Sequence, residues 1–288
     1  MYARHGHQNQ EKQTDRLIRW MQGKMLLLGA LFACSLFAAG ALADTYAARA
    51  ERPPETSAGT AVTDAMSEPS TEPPTEPPTE PILRAAAAEG KKLVALTFDD
   101  GPHPAHTSAL LDFLREQGVP ATFFVLGCNA QDNPEIVQRA AREGHQVASH
   151  TFHHWDLTAL SPQRLREELE SCAALLELLT GNRPTVTRPP YGSHNQAVRA
   201  AADTPLVLWS VDPRDWCDRD ADIVFRRVMD QVSDGGIVLL HDLYATSVEA
   251  AKRVVPALRA QGYVFVTVDQ LLAARGGAGA GEVVIERP

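Results

Sequence analysis

The chain has 288 residues, of which 44% are hydrophobic and 22% charged, and carries a formal net charge of -9. No Lys/Arg cluster longer than a pair interrupts the acidic balance, so nothing in the composition offers an electrostatic footprint for nucleic acid. The length admits two domains, but composition is so uneven that one folded domain of about 190 residues behind an N-terminal third of another kind fits better.

Residues 1–24 form a basic n-region in which Arg4, Lys12, Arg16, Arg19 and Lys24 outnumber Glu11 and Asp15. Residues 25–43, MLLLGALFACSLFAAGALA, are uncharged and long enough to enter or span a bilayer. The positive-inside rule keeps the basic end in the cytoplasm and sends the rest outward. Ala41-Leu42-Ala43 before Asp44 fits a signal-peptide cleavage site, with Met21 as an alternative start; an uncleaved anchor is the competing reading. The expected location is therefore secreted or membrane-tethered on the outer side, in the cell wall, with membrane contact only through this segment. Residues 44–88 lack apolar periodicity and contain SEPSTEPPTEPPTEP, a proline-rich repeat that cannot bury a core and reads as a disordered stalk. In polyproline II, some 40 such residues would reach on the order of 100 Å.

Residues 89–275 alternate strand and helix patterns. The runs LVALTF, ATFFVLG, QVASH, TVTRPP, PLVLWSV, GGIVLLH and YVFVTV predict seven strands. Helical patterns fall near Thr107 to Gln117, Pro134 to Glu143, Pro162 to Leu179, 220–231 and 247–260, the third ending where Gly181 suits a left-handed cap. This order predicts an α/β fold, a distorted seven-stranded (β/α) barrel, TIM-like, with a doubly wound open sheet as the alternative. Residues 276–288, rich in Gly and Ala, read as a flexible tail. Of the four cysteines, Cys34 lies in the apolar segment and Cys128, Cys172 and Cys217 in the folded part; one pair would bridge in an exported protein, Cys217 with Cys128.

The polar residues of interest fall just after strand-ending apolar positions. Asp99 and Asp100 follow LVALTF and precede Gly101-Pro102, a turn that presents two carboxylates with separate roles. His150 and His154 follow QVASH at a spacing that puts two imidazoles on one side if the backbone turns; with a carboxylate they make a hydrolytic metal set that leaves a position open for water. His153 competes with His154 for that place. Arg188, Tyr191 with its backbone N–H, the Asp212, Asp215 and Trp216 group, and Leu239 with His241 occupy successive strand ends. Singly each reads as structural; together they would be desolvated at cost unless they formed a site.

TFDDGP at 97–102, HTFHH at 150–154, RPPYG at 188–192, DPRDW at 212–216 and LLH at 239–241 resemble, in order, the five motifs of the NodB-homology polysaccharide deacetylases, carbohydrate esterase family four. The resemblance covers about Lys92 to Leu272. It implies that Asp100, His150 and His154 bind one divalent metal ion, Zn2+ first, and that Asp99 is the catalytic base. It further implies that His241 is the acid that protonates the departing amine, that Arg188 orients Asp99 and that Asp215 tunes His241. Tyr191 would complete the oxyanion site, and Trp216 and Leu239 would wall the acetyl pocket. The implied reaction is N-deacetylation of a cell-envelope polysaccharide, peptidoglycan first and chitin oligomers next. An O-acetyl esterase on xylan-like glycans and a non-catalytic wall carbohydrate-binding protein are the rivals.

Overall fold

A computed structural model of the protein describes residues 89–286. The segments expected at 1–24, 25–43 and 44–88 lie outside the described residues. Among the described residues no helix is long and apolar enough to cross a membrane.

Strand β1 (Lys92–Asp99) is buried from Leu93 onward, as an uninterrupted apolar run requires when both faces of a parallel strand are covered. Helix α1 (His106–Gln117) stops at Gly118, whose φ of 59° costs a glycine nothing. β2 (Thr122–Val125), α2 (Gly127–Asp132), α3 (Pro134–Arg142) and β3 (Gln146–Ser149) follow. Helix α4 (Pro162–Thr180) starts at Ser161, whose hydroxyl accepts from the Arg164 N–H, and ends at Gly181 with φ 78°, as its sequence predicts. The second half contributes α5 (Gln196–Ala201), β4 (Leu206–Val207), α6 (Asp215–Asp218), α7 (Ala221–Gln231), β5 (Gly236–His241), α8 (Ala245–Ala260), β6 (Tyr263–Val266), α9 (Val268–Ala274) and β7 (Val283–Val284).

All strand pairs are parallel. β1 lies between β5 on one side and, on the other, β6 along Lys92 to Ala95 and β2 along Thr97 to Asp99. From β2 the ladder passes to β3, then by single bridges from Ser149 to Thr187 and from Thr187 to Leu206. The continuing segment bridges back to β5 through Val211 and Val238. These contacts complete a ring, which favours the distorted barrel over the open sheet. Alternation along the strands turns Leu93, Ala95, Thr97 and Asp99 to one face. Leu93 and Ala95 join Phe124, Ala148, Val207 and Ile237 in an apolar core, and the polar members of the series lie beyond it at the carboxyl end.

Five expectations are corrected. TVTRPP contributes one bridging residue, Thr187, because Pro184, Pro189 and Pro190 bracket it and supply no N–H donors. PLVLWSV is a two-residue strand plus the separate Val211 bridge, since the chain must cross from Thr187 to β5 within it. The last two residues of YVFVTV leave the strand: Thr267 caps α9 in a reciprocal capping box with Gln270. Residues 276–286 are not a loose tail; β7 pairs with β4, the Leu206 N–H donates to the Glu282 carbonyl, and Val284 is buried. The seventh strand is therefore β7. The expected pairing of Cys217 with Cys128 is not made, for Cys128 faces Asn129 on α2 whereas Cys217 is exposed on α6 beside Arg214, and Cys172 is also free.

Candidate active site

Register sets the site. Asp99 at the end of β1 lies directly opposite His241 at the end of β5, and Thr97 lies opposite Leu239. Because both pairs are two residues apart, all four side chains share one face of the sheet.

Arg188 is fully buried at the centre of this face. Its Nε donates to the Val207 carbonyl at 3.0 Å, one terminal nitrogen to the Leu208 carbonyl at 2.8 Å, and the other to Thr97 Oγ1 at 2.8 Å and Asp99 Oδ1 at 2.6 Å. The guanidinium also lies 4.0 Å from the Phe124 ring centre. A buried cation is tolerated only when its donors are satisfied in this way. Asp99 is thereby fixed through Oδ1, and its Oδ2 stands 3.7 Å from His150 Nε2.

Asp100 turns the other way, with φ 71°. Its Oδ1 lies 3.4 Å from both His150 Nε2 and His154 Nε2, and is buried without a hydrogen-bond partner. The three donor atoms fall within 4.8 Å of one another. His150 Nδ1 sits 2.7 Å from the Arg188 carbonyl, an acceptor that requires the proton on Nδ1 and leaves the Nε2 lone pair facing Asp100. Burial alone would raise the Asp100 carboxyl, but facing His150, then His154 and His241, hold it below the ordinary value. Burial, with the neighbouring imidazoles, pulls His154 down toward its neutral form against the carboxylates. One carboxylate and two imidazoles, with an orphaned buried oxygen between them, suit a divalent ion. His153 does not compete, because its Nδ1 is 2.5 Å from Glu168 Oε1.

Opposite, buried Asp215 accepts four bonds: His241 Nδ1 at 2.9 Å, His241 N at 2.8 Å, Ser247 Oγ at 2.6 Å and Trp216 N at 2.9 Å. Burial acts to lower the His241 pKa, but the Asp215 hydrogen bond and charge outweigh it and raise it to about 9. At neutral pH the imidazolium therefore presents Nε2–H to the pocket.

Of the six non-glycine residues at positive φ among those described, Asp100, Thr151, His154, Tyr191 and Arg214 lie in or beside the motif segments; Arg219 is the sixth. Such conformations cost about 1–3 kcal/mol each and persist where surroundings enforce them. Tyr191 and Trp216 are also two of the four large hydrophobics left exposed among the described residues, and the Tyr191 ring stands edge-on 4.6 Å from His154. They form a rim, whereas Leu239 is buried. Asp212 only accepts from the Arg214 N–H, stabilising its turn.

Sequence reasoning missed Asn129, Ser247, Glu168 and Asp242. Asn129 donates to the Asp100 carbonyl at 2.7 Å. Asp242 takes the Thr107 hydroxyl at 2.5 Å beneath Gly101, where an added methyl would stand 2.3 Å from its Oδ2; burial pushes its pKa to about 7. Its position immediately after His241 was the one signal available.

The fold and site thus define a buried polar constellation with a candidate metal-ligating set at the carboxyl ends of a parallel barrel. The family model described as polysaccharide deacetylase matches residues 86–206. The peptidoglycan-N-acetylmuramic acid deacetylase PdaC of Bacillus subtilis (strain 168) is 44% identical over 181 residues, 63% of this chain and 39% of that protein. A chitooligosaccharide deacetylase of Bradyrhizobium sp. (strain ANU 289) is 39% identical over 200 residues, 63% of this chain and 91% of that protein. Among solved structures, a T48 deacetylase with substrate superimposes with a TM-score of 0.65 at 41% identity, covering 68% of this chain and 97% of that one. The chain belongs to the polysaccharide deacetylase family. It spans about two fifths of the length of the Bacillus subtilis relative.

Proposed function

We propose that this protein removes N-acetyl groups, as acetate, from a cell-envelope polysaccharide, peptidoglycan first and chitin oligomers second, and that it works outside the cytoplasm. One observation carries the reading. Asp99 stands beside the Asp100, His150 and His154 set without belonging to it, held by Arg188 as a free carboxylate, and a purely structural metal site has no use for such a group.

When bound, a divalent ion, Zn2+ first, supplies Lewis-acid polarisation of a water and of the acetyl carbonyl. Asp100, His150 and His154 would hold it. Asp99 takes the proton of the attacking water through Oδ2, since Oδ1 is engaged by Arg188. The Tyr191 N–H, at the rim, serves the developing oxyanion. His241 delivers a proton from Nε2 to the departing amine, because Nδ1 is committed to Asp215 and the imidazole is charged at neutral pH. An amine leaves only after that transfer. Trp216 and Leu239 wall the acetyl methyl.

Substrate class rests on the relatives that act on peptidoglycan and on chitooligosaccharides, and export on the uncharged run 25–43 with its basic flank. Acetate release from peptidoglycan, chitin oligomers and acetylated xylan by the metal-loaded protein tests the proposal. Release is expected from N-acetylated glycans, peptidoglycan ahead of chitin. Release from xylan alone would make the protein an O-acetyl esterase, and release from none would leave a carbohydrate-binding protein.

A further inference from the structure

Helix α4 turns Leu165, Cys172, Leu175 and Leu176 into the core, and at the same spacing it turns in Glu168, which is 3% exposed. A carboxylate in an apolar stripe is rare unless something satisfies it. Here Oε2 accepts from the Phe152 N–H at 3.2 Å and the His153 N–H at 2.8 Å, and Oε1 meets His153 Nδ1 at 2.5 Å. The carbonyls of the same loop are held from the other side: Thr151 O accepts from Gly127 N and Phe152 O from Cys128 N, both at 3.0 Å. The pinned peptides sit between Thr151 at φ 68° and His154 at φ 62°, and for a β-branched residue such as Thr151 that backbone is an outlier.

We propose that Glu168 is the positioning residue of the metal site. Acting through residues 152 and 153, it sets the backbone from which His154 reaches Asp100, and it withholds His153, the adjacent imidazole that would otherwise compete for the ion. The His153 ring stacks on Trp155 at 4.6 Å, directed to Glu168 rather than to Asp100. This inference rests on the metal-site reading above. Groups that orient metal ligands from behind typically account for about 10–100-fold in metal affinity.

The test is Zn2+ affinity, measured by competition with a chromophoric chelator, and the visible spectrum of the Co2+ form, for the full chain and its variants. Glu168→Ala is expected to raise the Zn2+ Kd by about 10–100-fold. It should also change the Co2+ band positions as His153 intrudes, while the metal-free variant still unfolds cooperatively. Glu168→Gln, which keeps an acceptor for the two N–H groups, should fall near the tenfold end of that range. His153→Ala alone should bind as wild type, and His153→Ala added to Glu168→Ala should bring the spectrum back toward wild type. Wild-type affinity and spectrum in Glu168→Ala would overturn the proposal; if that variant does not fold, wild-type behaviour of Glu168→Gln would do so. Asp100→Ala separates the two layers. Were it to bind as tightly as wild type, the metal site itself would fall, whereas weak binding by Asp100→Ala beside unchanged Glu168 variants would remove only the clamp.

Discussion

The two ends of the barrel interior are built on opposite terms. At the amino end, Leu93, Ala95 and Ile237 fill space with apolar atoms in ordinary strand geometry. At the carboxyl end stand Thr97, Asp99 and Arg188, buried and polar, and partly buried His241, each fixed by named partners and framed by turns at positive φ. The difference teaches where stability and chemistry reside. Packing at one end sustains the scaffold, and at the other a satisfied polar network holds groups where solvent would not leave them.

The comparison breaks most sharply at Asp99. Asp99→Asn is expected to lower kcat by about 10²–10⁴-fold while Zn2+ stoichiometry stays close to wild type; removing the charge that faces buried Arg188 should also cost about 3–5 kcal/mol of stability, so kcat is compared per folded molecule. Steady-state acetate release beside metal analysis checks it, and retained turnover would remove Asp99 from the role of base. At the other end, Leu93→Ala should cost about 2–5 kcal/mol in denaturant unfolding, with kcat per folded molecule unchanged.

Between the ends, Gly101→Ala sets a methyl against the Asp242 carboxylate beneath the Asp100 turn. It should destabilise by about 1–3 kcal/mol. Adding Asp242→Ala should recover part of that loss; strictly additive costs in the double-mutant cycle would show that the two do not touch.

The smallest effect is a shift along the pH axis. Against burial, which lowers it, the Asp215 hydrogen bond and charge, with Asp99 and Asp100 behind them, raise His241 in the folded chain from the ordinary 6.5 to about 9. The pairing therefore contributes stability that is fully present below about pH 6.5 and is lost as pH rises through about 9. Asp215→Asn leaves burial opposed only by the charges of Asp99 and Asp100, so NMR titration of the metal-free variant should find the His241 pKa lowered from its wild-type value. A value still near 9 would mean that other groups hold the proton.

Much of this was legible in the chain. The strands and the barrel class follow from apolar runs ending at polar residues, because a parallel strand buried on both faces announces itself by composition; the extent of α4 follows from its amphipathic period and its glycine stop, and the five motif segments from the family resemblance. The structure brings Asp99 to Arg188, His241 to Asp215, and Asp100 to His150 and His154. What stayed hidden depends on long-range partners. Val283 and Val284 look like part of a glycine-rich end until β4 offers an edge. Glu168 looks like one more helix-surface acid among Glu167 and Glu170 until the 152–153 peptides are placed against it. Asp242 has no visible task until Gly101 is seen above it.

The most direct test of the account is acetate release from an N-acetylated glycan before and after the metal is stripped with a chelator and restored with Zn2+. Activity that disappears with the ion and returns with about one equivalent per chain is the expected result. Undiminished release from a chain shown to be free of metal would contradict it.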